Sequence, residues 1–129
     1  MPMINIKGKE YAYDENEVIN FTEGLVGLPE MRKAVLIPMD EFAPFCWLAS
    51  VEDDKNRFIV VDPRDIYTEY APIANPAGTK TMAIVKISSD WRKTTVNLRA
   101  PIHIDPAGRA KQSVLTDSTY SLAEAIPQN

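Results

Sequence analysis

Thr95-Val96-Asn97-Leu98-Arg99-Ala100-Pro101-Ile102-His103-Ile104-Asp105 alternates apolar and polar residues without a break. Val96, Leu98, Ala100, Ile102 and Ile104 fall on one side, and Asn97, Arg99, Pro101, His103 and Asp105 on the other. Period two is the mark of a strand with one buried face, so a single strand is expected from Thr94 to Asp105. Pro101 has no N–H to give to a ladder. The strand therefore lies at a sheet edge, or turns the proline nitrogen away from its neighbour. Its outer face is then polar and partly unpaired, a place where another protein can dock.

Working outward, Pro106-Ala107-Gly108 turns this strand into a final one, Arg109 to Thr116. Upstream, Met82 to Ser88 reads as a strand followed by a turn at Ser89-Asp90-Trp91. Ala34 to Pro38, Phe45 to Val51 and Phe58 to Asp62 are further strands, with Glu52-Asp53-Asp54-Lys55-Asn56 as a polar hairpin turn. Met3 to Lys7 and Glu10 to Tyr13 meet through a tight turn at Lys7-Gly8-Lys9, and Glu17 to Phe21 is another strand. Gly24 and Gly27 lie in a loop that calls for positive φ or close backbone approach. Ile66 to Thr81, with Tyr67, Tyr70, Pro72, Pro76 and Gly78, reads as an exposed loop. The tail from Ser121 to Asn129 forms one helical turn or frays. About nine short strands at this spacing predict a small all-β fold: one antiparallel, barrel-like domain over residues 1–129.

Composition narrows the function. The chain of 129 residues is 45% hydrophobic and 25% charged, with a net charge of -4. That suits a globular protein and argues against direct nucleic-acid binding through phosphate neutralisation. No apolar run reaches the ~18 residues of a membrane span, and the start of the chain lacks the features of a signal peptide. Cys46 is the single cysteine and sits in the apolar run Phe45-Cys46-Trp47-Leu48. It reads as a structural thiol in a reducing, cytoplasmic setting.

Chemistry finds little footing. His103 and Asp105 share one strand face, but residues i and i+2 lie about 7 Å apart along the backbone. No nucleophile can be placed beside them, so His103 reads first as a surface histidine. One His and one Cys leave a metal site to carboxylates alone, and Glu52-Asp53-Asp54 lacks the ligand spacing of a calcium loop. No catalytic residue, cofactor or metal is expected. Phe45, Trp47 and Phe58 read as core. Tyr67, Tyr70 and Trp91 stand beside loops, where aromatic residues serve protein contact. The candidate partner-binding residues are thus Asn97, Arg99 and His103 on the polar face, Lys111 from the neighbouring strand, and Tyr67 and Tyr70. The same face also reads as a solvated sheet surface with local ion pairs such as Arg99 with Asp105.

Ile19-Asn20-Phe21-Thr22-Glu23-Gly24-Leu25-Val26-Gly27-Leu28 resembles the early glycine loop of the bacterial flagellar assembly factor family, FliW. Val35-Leu36-Ile37-Pro38, Pro44 to Val51, Phe58 to Pro63, Thr95 to Ile102 and Ala110 to Leu115 are similar to the blocks that follow it in order. Two departures stand out. The stretch between Tyr70 and Met82 is shorter than usual, and Arg64-Asp65-Ile66-Tyr67 replaces an aromatic cluster after Asp62-Pro63. The resemblance implies a non-enzymatic cytoplasmic regulator that binds flagellin and the RNA-binding repressor CsrA, freeing flagellin mRNA for translation. It implies no direct nucleic-acid or membrane partner. The rival readings are a generic β-barrel module that binds another protein or nucleic acid, and an enzyme with a dispersed carboxylate site.

Overall fold

The computed structural model describes residues 2–25, 27–70, 77–115 and 120–126. The strands are β1 (Met3–Ile6), β2 (Lys9–Ala12), β3 (Ile19–Phe21), β4 (Lys33–Pro38), β5 (Cys46–Ser50), β6 (Arg57–Val61), β7 (Lys80–Lys86), β8 (Thr95–Val96), β9 (Ile102–Ile104), β10 (Arg109–Gln112) and β11 (Glu124–Ala125). Among the described residues, helical backbone is confined to 3-10 turns of three residues each.

Seven strands close a barrel in the order β7-β6-β5-β4-β3-β10-β9, and β9 returns to pair with β7. The pairings are antiparallel except for β10 with β3, where Arg109 lies opposite Asn20. The fold is all-β and mainly antiparallel, as the alternation predicts.

Alternation decides what fills the barrel. Ile19, Phe21, Ala34, Leu48, Val60, Met82, Ile102, Ile104 and Ala110 point inward and form its core. A barrel of this size is filled by its own side chains. The glycine loop supplies a plug: Leu25 and Met31 are buried in the same cluster. Gly24 (φ +70°) and Gly27 (φ +83°) both take the left-handed conformation, as expected. Outward-facing apolar residues are covered twice. The β1–β2 hairpin lays Ile4 and Ile6 over Val35, Ile37 and Ala49. Tyr70, with Tyr67, Tyr120 and Ile126, covers Val61, Ala83, Val85 and Val96.

Three expectations are corrected. The stretch from Thr94 to Asp105 is not one strand. β8 and β9 pair with opposite ends of β7, Val96 facing Val85 and Ile102 facing Met82. Between them the Asn97 carboxamide accepts hydrogen bonds from the backbone N–H of Arg99 (3.1 Å) and Ala100 (3.1 Å), which turns the chain. Nor is β9 an edge, because it lies between β10 and β7. Buried Pro101 sits just outside the ladder, where its missing N–H costs nothing, and its carbonyl accepts from Ser113 N–H. Finally, Glu124–Ala125 of the tail pairs with β8 as a strand and forms neither a helical turn nor a frayed end. The strand expected from Arg109 to Thr116 is β10, which ends at Gln112; Thr116, residues 71–76 of the stretch between Tyr70 and Met82, and the tail at 127–129 lie outside the described residues.

Candidate functional site

The candidate residues come from three neighbouring parts of the barrel wall. His103 on β9 stands between Lys111 on β10 and Thr81 on β7 in the register of the sheet. All three side chains face outward, because their strand neighbours Ile102, Ile104, Met82 and Ala110 face the core. Lys111 is exposed and His103 half-buried. His103 Nδ1 shares a hydrogen bond of 3.3 Å with the Thr81 hydroxyl. Its Nε2 is shut off from solvent and finds no partner among the described residues. Burial and the nearby Arg64 guanidinium both push the imidazole pKa down, so the ring is neutral near pH 7.

Asn97 and Arg99 flank Leu98 on the turn between β8 and β9. Here the Tyr67–Tyr70 segment joins the site: the Tyr70 hydroxyl donates to the Leu98 carbonyl at 2.6 Å. Tyr70 is only 3% exposed, which corrects the expectation of an exposed loop residue. Its ring packs edge-on against Tyr120. Burial, then the neighbouring Tyr120, pushes its pKa up to about 12, so the phenol keeps its proton. Tyr67 is half-buried and its hydroxyl donates to the Ala125 carbonyl at 2.8 Å. The structure thus ties Tyr70 to the turn that carries Asn97 and Arg99 through the Leu98 carbonyl, and ties Tyr67 to β11. Tyr67, Tyr70, Leu98 and Tyr120 line an open cavity of about 480 Å³. His103 and Lys111 lie side by side on β9 and β10, and the Arg64 guanidinium, paired with Asp62, comes near enough to His103 to lower its pKa. The expected partner of Arg99 is also revised: Asp105 pairs with Arg109, Nε to Oδ2 at 3.1 Å.

Sequence reasoning missed Arg64 and the turn-forming role of Asn97. Both had a local signal. Asp62-Pro63 opens a 3-10 turn whose cap, the Asp62 carboxylate, accepts from Arg64 N–H, and an asparagine side chain readily accepts from the backbone two residues on, as Asn97 does from Arg99 N–H.

Among the described residues no three His, Cys, Asp or Glu side chains gather to hold a metal ion, and no helix is long and apolar enough to cross a membrane. Of the candidate residues Lys111 is exposed, Tyr67, Asn97, Arg99 and His103 are half-buried, and Tyr70 is buried.

The family model described as FliW protein matches residues 5–126. The chain belongs to the FliW family of flagellar assembly factors. A relative from Clostridium beijerinckii, named flagellar assembly factor FliW, is 30% identical over 91% of this chain and 92% of its own length. Relatives of the same name from Geobacter sulfurreducens and Syntrophus aciditrophicus are 34% and 35% identical, over 87% and 89% of this chain and 77% and 80% of their own lengths. A crystal structure of the flagellar assembly factor FliW superposes with a TM-score of 0.86 over 98% of this chain and 99% of that one; at 23% identity it bears on the fold. In this FliW-family chain the glycine loop that carried the resemblance is the barrel plug, and the Thr95–Ile102 block is the turn that Tyr70 holds.

Proposed function

We propose that this chain acts by binding flagellin and the translational regulator CsrA in the cytoplasm, and that by holding CsrA it relieves repression of flagellin translation. The observation that carries this reading is membership of the FliW family along residues 5–126. The physical logic is linkage. A protein with two partners that disfavour one another reports the level of one through the free pool of the other. Abundant flagellin occupies the factor and releases CsrA, while scarce flagellin leaves the factor free to hold CsrA. We assign Asn97, Arg99, His103, Lys111, Tyr67 and Tyr70 to partner binding, Tyr70 acting from beneath through the Leu98 carbonyl.

Titration calorimetry of the full chain against purified flagellin and purified CsrA tests the reading. Saturable binding to each is expected, with weaker CsrA binding once the chain is loaded with flagellin. Binding to neither partner overturns the reading. Binding to both with no mutual effect overturns the switch.

A further inference from the structure

The cavity beside the Tyr67–Tyr70 segment, of about 480 Å³, falls in the size range of ligand pockets. Three parts of the chain meet around it. Residues 66–70 run on from the 3-10 turn Pro63–Asp65, Leu98 comes from the turn between β8 and β9, and β11 brings Glu124 alongside β8. Ile66 and Leu98 supply apolar surface. Tyr67, Tyr70 and Tyr120 supply aromatic rings, and Thr68, Glu69 and Glu124 polar groups. The rings of Tyr67 and Tyr70 are fixed by their hydroxyls, which donate to the carbonyls of Ala125 and Leu98, and Tyr120 packs edge-on against Tyr70.

The electrostatic character of this lining is one-sided. The phenol protons of Tyr67 and Tyr70 are spent on the backbone, so their oxygens keep only acceptor capacity. Tyrosine ring faces are negative. Glu69 is exposed and Glu124 half-buried. Burial first, and the Glu124 carboxylate second, push the Tyr67 phenol up to about 12, which sets that carboxylate beside the ring. The ion pairs among the described residues join Arg64 to Asp62, Arg92 to Asp90 and Arg109 to Asp105. Both glutamates thus keep a charge unmatched by any described cation within ion-pair distance, and no described lysine or arginine lines the cavity. Thr68 adds a hydroxyl that can give or accept.

We propose that this cavity receives an arginine side chain of a protein partner, its guanidinium lying against the tyrosine rings and its N–H groups donating to the Glu69 and Glu124 carboxylates. Charge chooses the occupant. A carboxylate or phosphate would meet two like charges there, which is costly in a contact, whereas a donor-only cation matches acceptors, ring faces and carboxylates at once. Arginine is chosen over lysine because its planar guanidinium stacks on aromatic rings and is more weakly hydrated, so half-burial costs it less. An assembly factor acts on proteins, so the guanidinium is read as that of an arginine residue. The proposal rests on the assignment of Tyr67 and Tyr70 to partner binding, and it holds whichever partner supplies the arginine.

The probe is a capped pentapeptide, Gly-Ser-Arg-Ser-Gly, titrated to millimolar concentration into the full chain and followed by amide NMR shifts. Saturable shifts are expected at Tyr67 to Tyr70, Leu98, Tyr120 and Glu124. A peptide with citrulline in place of arginine keeps the shape and loses the charge; it is expected to bind about tenfold more weakly, and a lysine peptide severalfold more weakly. Glu69→Gln with Glu124→Gln keeps the side-chain volume and is expected to weaken the arginine peptide by about tenfold. Tyr67→Phe keeps the ring and is expected to hold the affinity within about threefold. No saturable shift, shifts confined to other amides, equal binding of the citrulline peptide, or unchanged affinity in the folded double variant overturns the proposal. Equal binding of the lysine peptide overturns the choice of guanidinium. A small peptide tests the cavity alone, so its failure is separate from a failure of flagellin or CsrA to bind in calorimetry.

Discussion

At Gly24 a side chain has nowhere to go. A Cβ built there would fall 2.6 Å from the Pro29 Cα and carbonyl carbon and into contact with the Pro29 oxygen, and φ is already +70°. Gly27 has the same sign of φ, yet a Cβ there meets open space. Left-handed φ alone costs about 1 kcal/mol in a non-glycine residue. Gly27→Ala is thus expected to cost about that much, and Gly24→Ala roughly 2 kcal/mol or more, because the Pro29 backbone must also shift. Thermal melts of the two variants check the order, and equal losses would refute it. His103 gives a second prediction at this scale. Its pKa in the fold is lowered from the ordinary 6.5 by burial first and by Arg64 second. The folded state therefore resists protonation while the unfolded state does not. The stabilising contribution is complete above pH 6.5 and is lost as pH falls from there towards the lowered folded value, below which the loss levels off. The urea midpoint of the native chain should drop between pH 7.5 and 5.5. In His103→Gln that drop should be smaller, and an equal drop would place the titrating group elsewhere.

The Tyr67–Tyr70 segment depends on a few hydrogen bonds to backbone carbonyls. Tyr70→Phe leaves the Leu98 carbonyl buried without its 2.6 Å donor. A loss of about 1–3 kcal/mol is expected, read as a shift of the denaturant midpoint with an unchanged slope. Unaltered stability would mean that water replaces the phenol. How far such elements were legible in the sequence depended on the range of the forces that fix them. The β4–β5–β6 meander and the β1–β2 hairpin follow from local alternation and turn residues, and they stand where they were expected. The stretch Thr94 to Asp105 misled because its alternation survives the loss of pairing. Leu98 and Ala100 stay buried and Asn97 and Arg99 half-buried although the backbone between β8 and β9 is a turn. Burial pattern reports which side faces the core, not whether a neighbouring strand is present. Closure of β9 onto β7 and the parallel pairing of β10 with β3 are contacts between distant segments, and no local pattern encodes them. The candidate site was legible in part for the same reason. Its polar strand positions could be read from alternation, whereas the burial of Tyr70 and the approach of Arg64 to His103 arise only when the barrel closes.

On the scale of the whole molecule, charge separates the two proposed partners. The chain carries a net charge of -4, so a basic RNA-binding protein is drawn to most of its surface, at a rate that salt reduces. Near His103 stand two exposed cations, Lys111 and Arg64, the latter 3.5 Å from the Asp62 carboxylate. A basic regulator gains least from that part of the surface, and a partner with acidic groups gains most. The double reversal Arg64→Glu with Lys111→Glu alters two exposed side chains, and changes of that kind typically cost under about 0.5 kcal/mol of stability. It is expected to weaken flagellin binding by about tenfold or more, while CsrA binding stays within about threefold of the native value and its association rate rises or holds. Calorimetry and stopped-flow measurements against both partners, at low and at physiological salt, decide the matter. If CsrA affinity falls and flagellin affinity does not, that part of the surface serves the regulator through contacts that overcome its charge. If neither affinity moves in a folded variant, both partners bind elsewhere on the barrel, and the charges around His103 serve only to keep that face solvated.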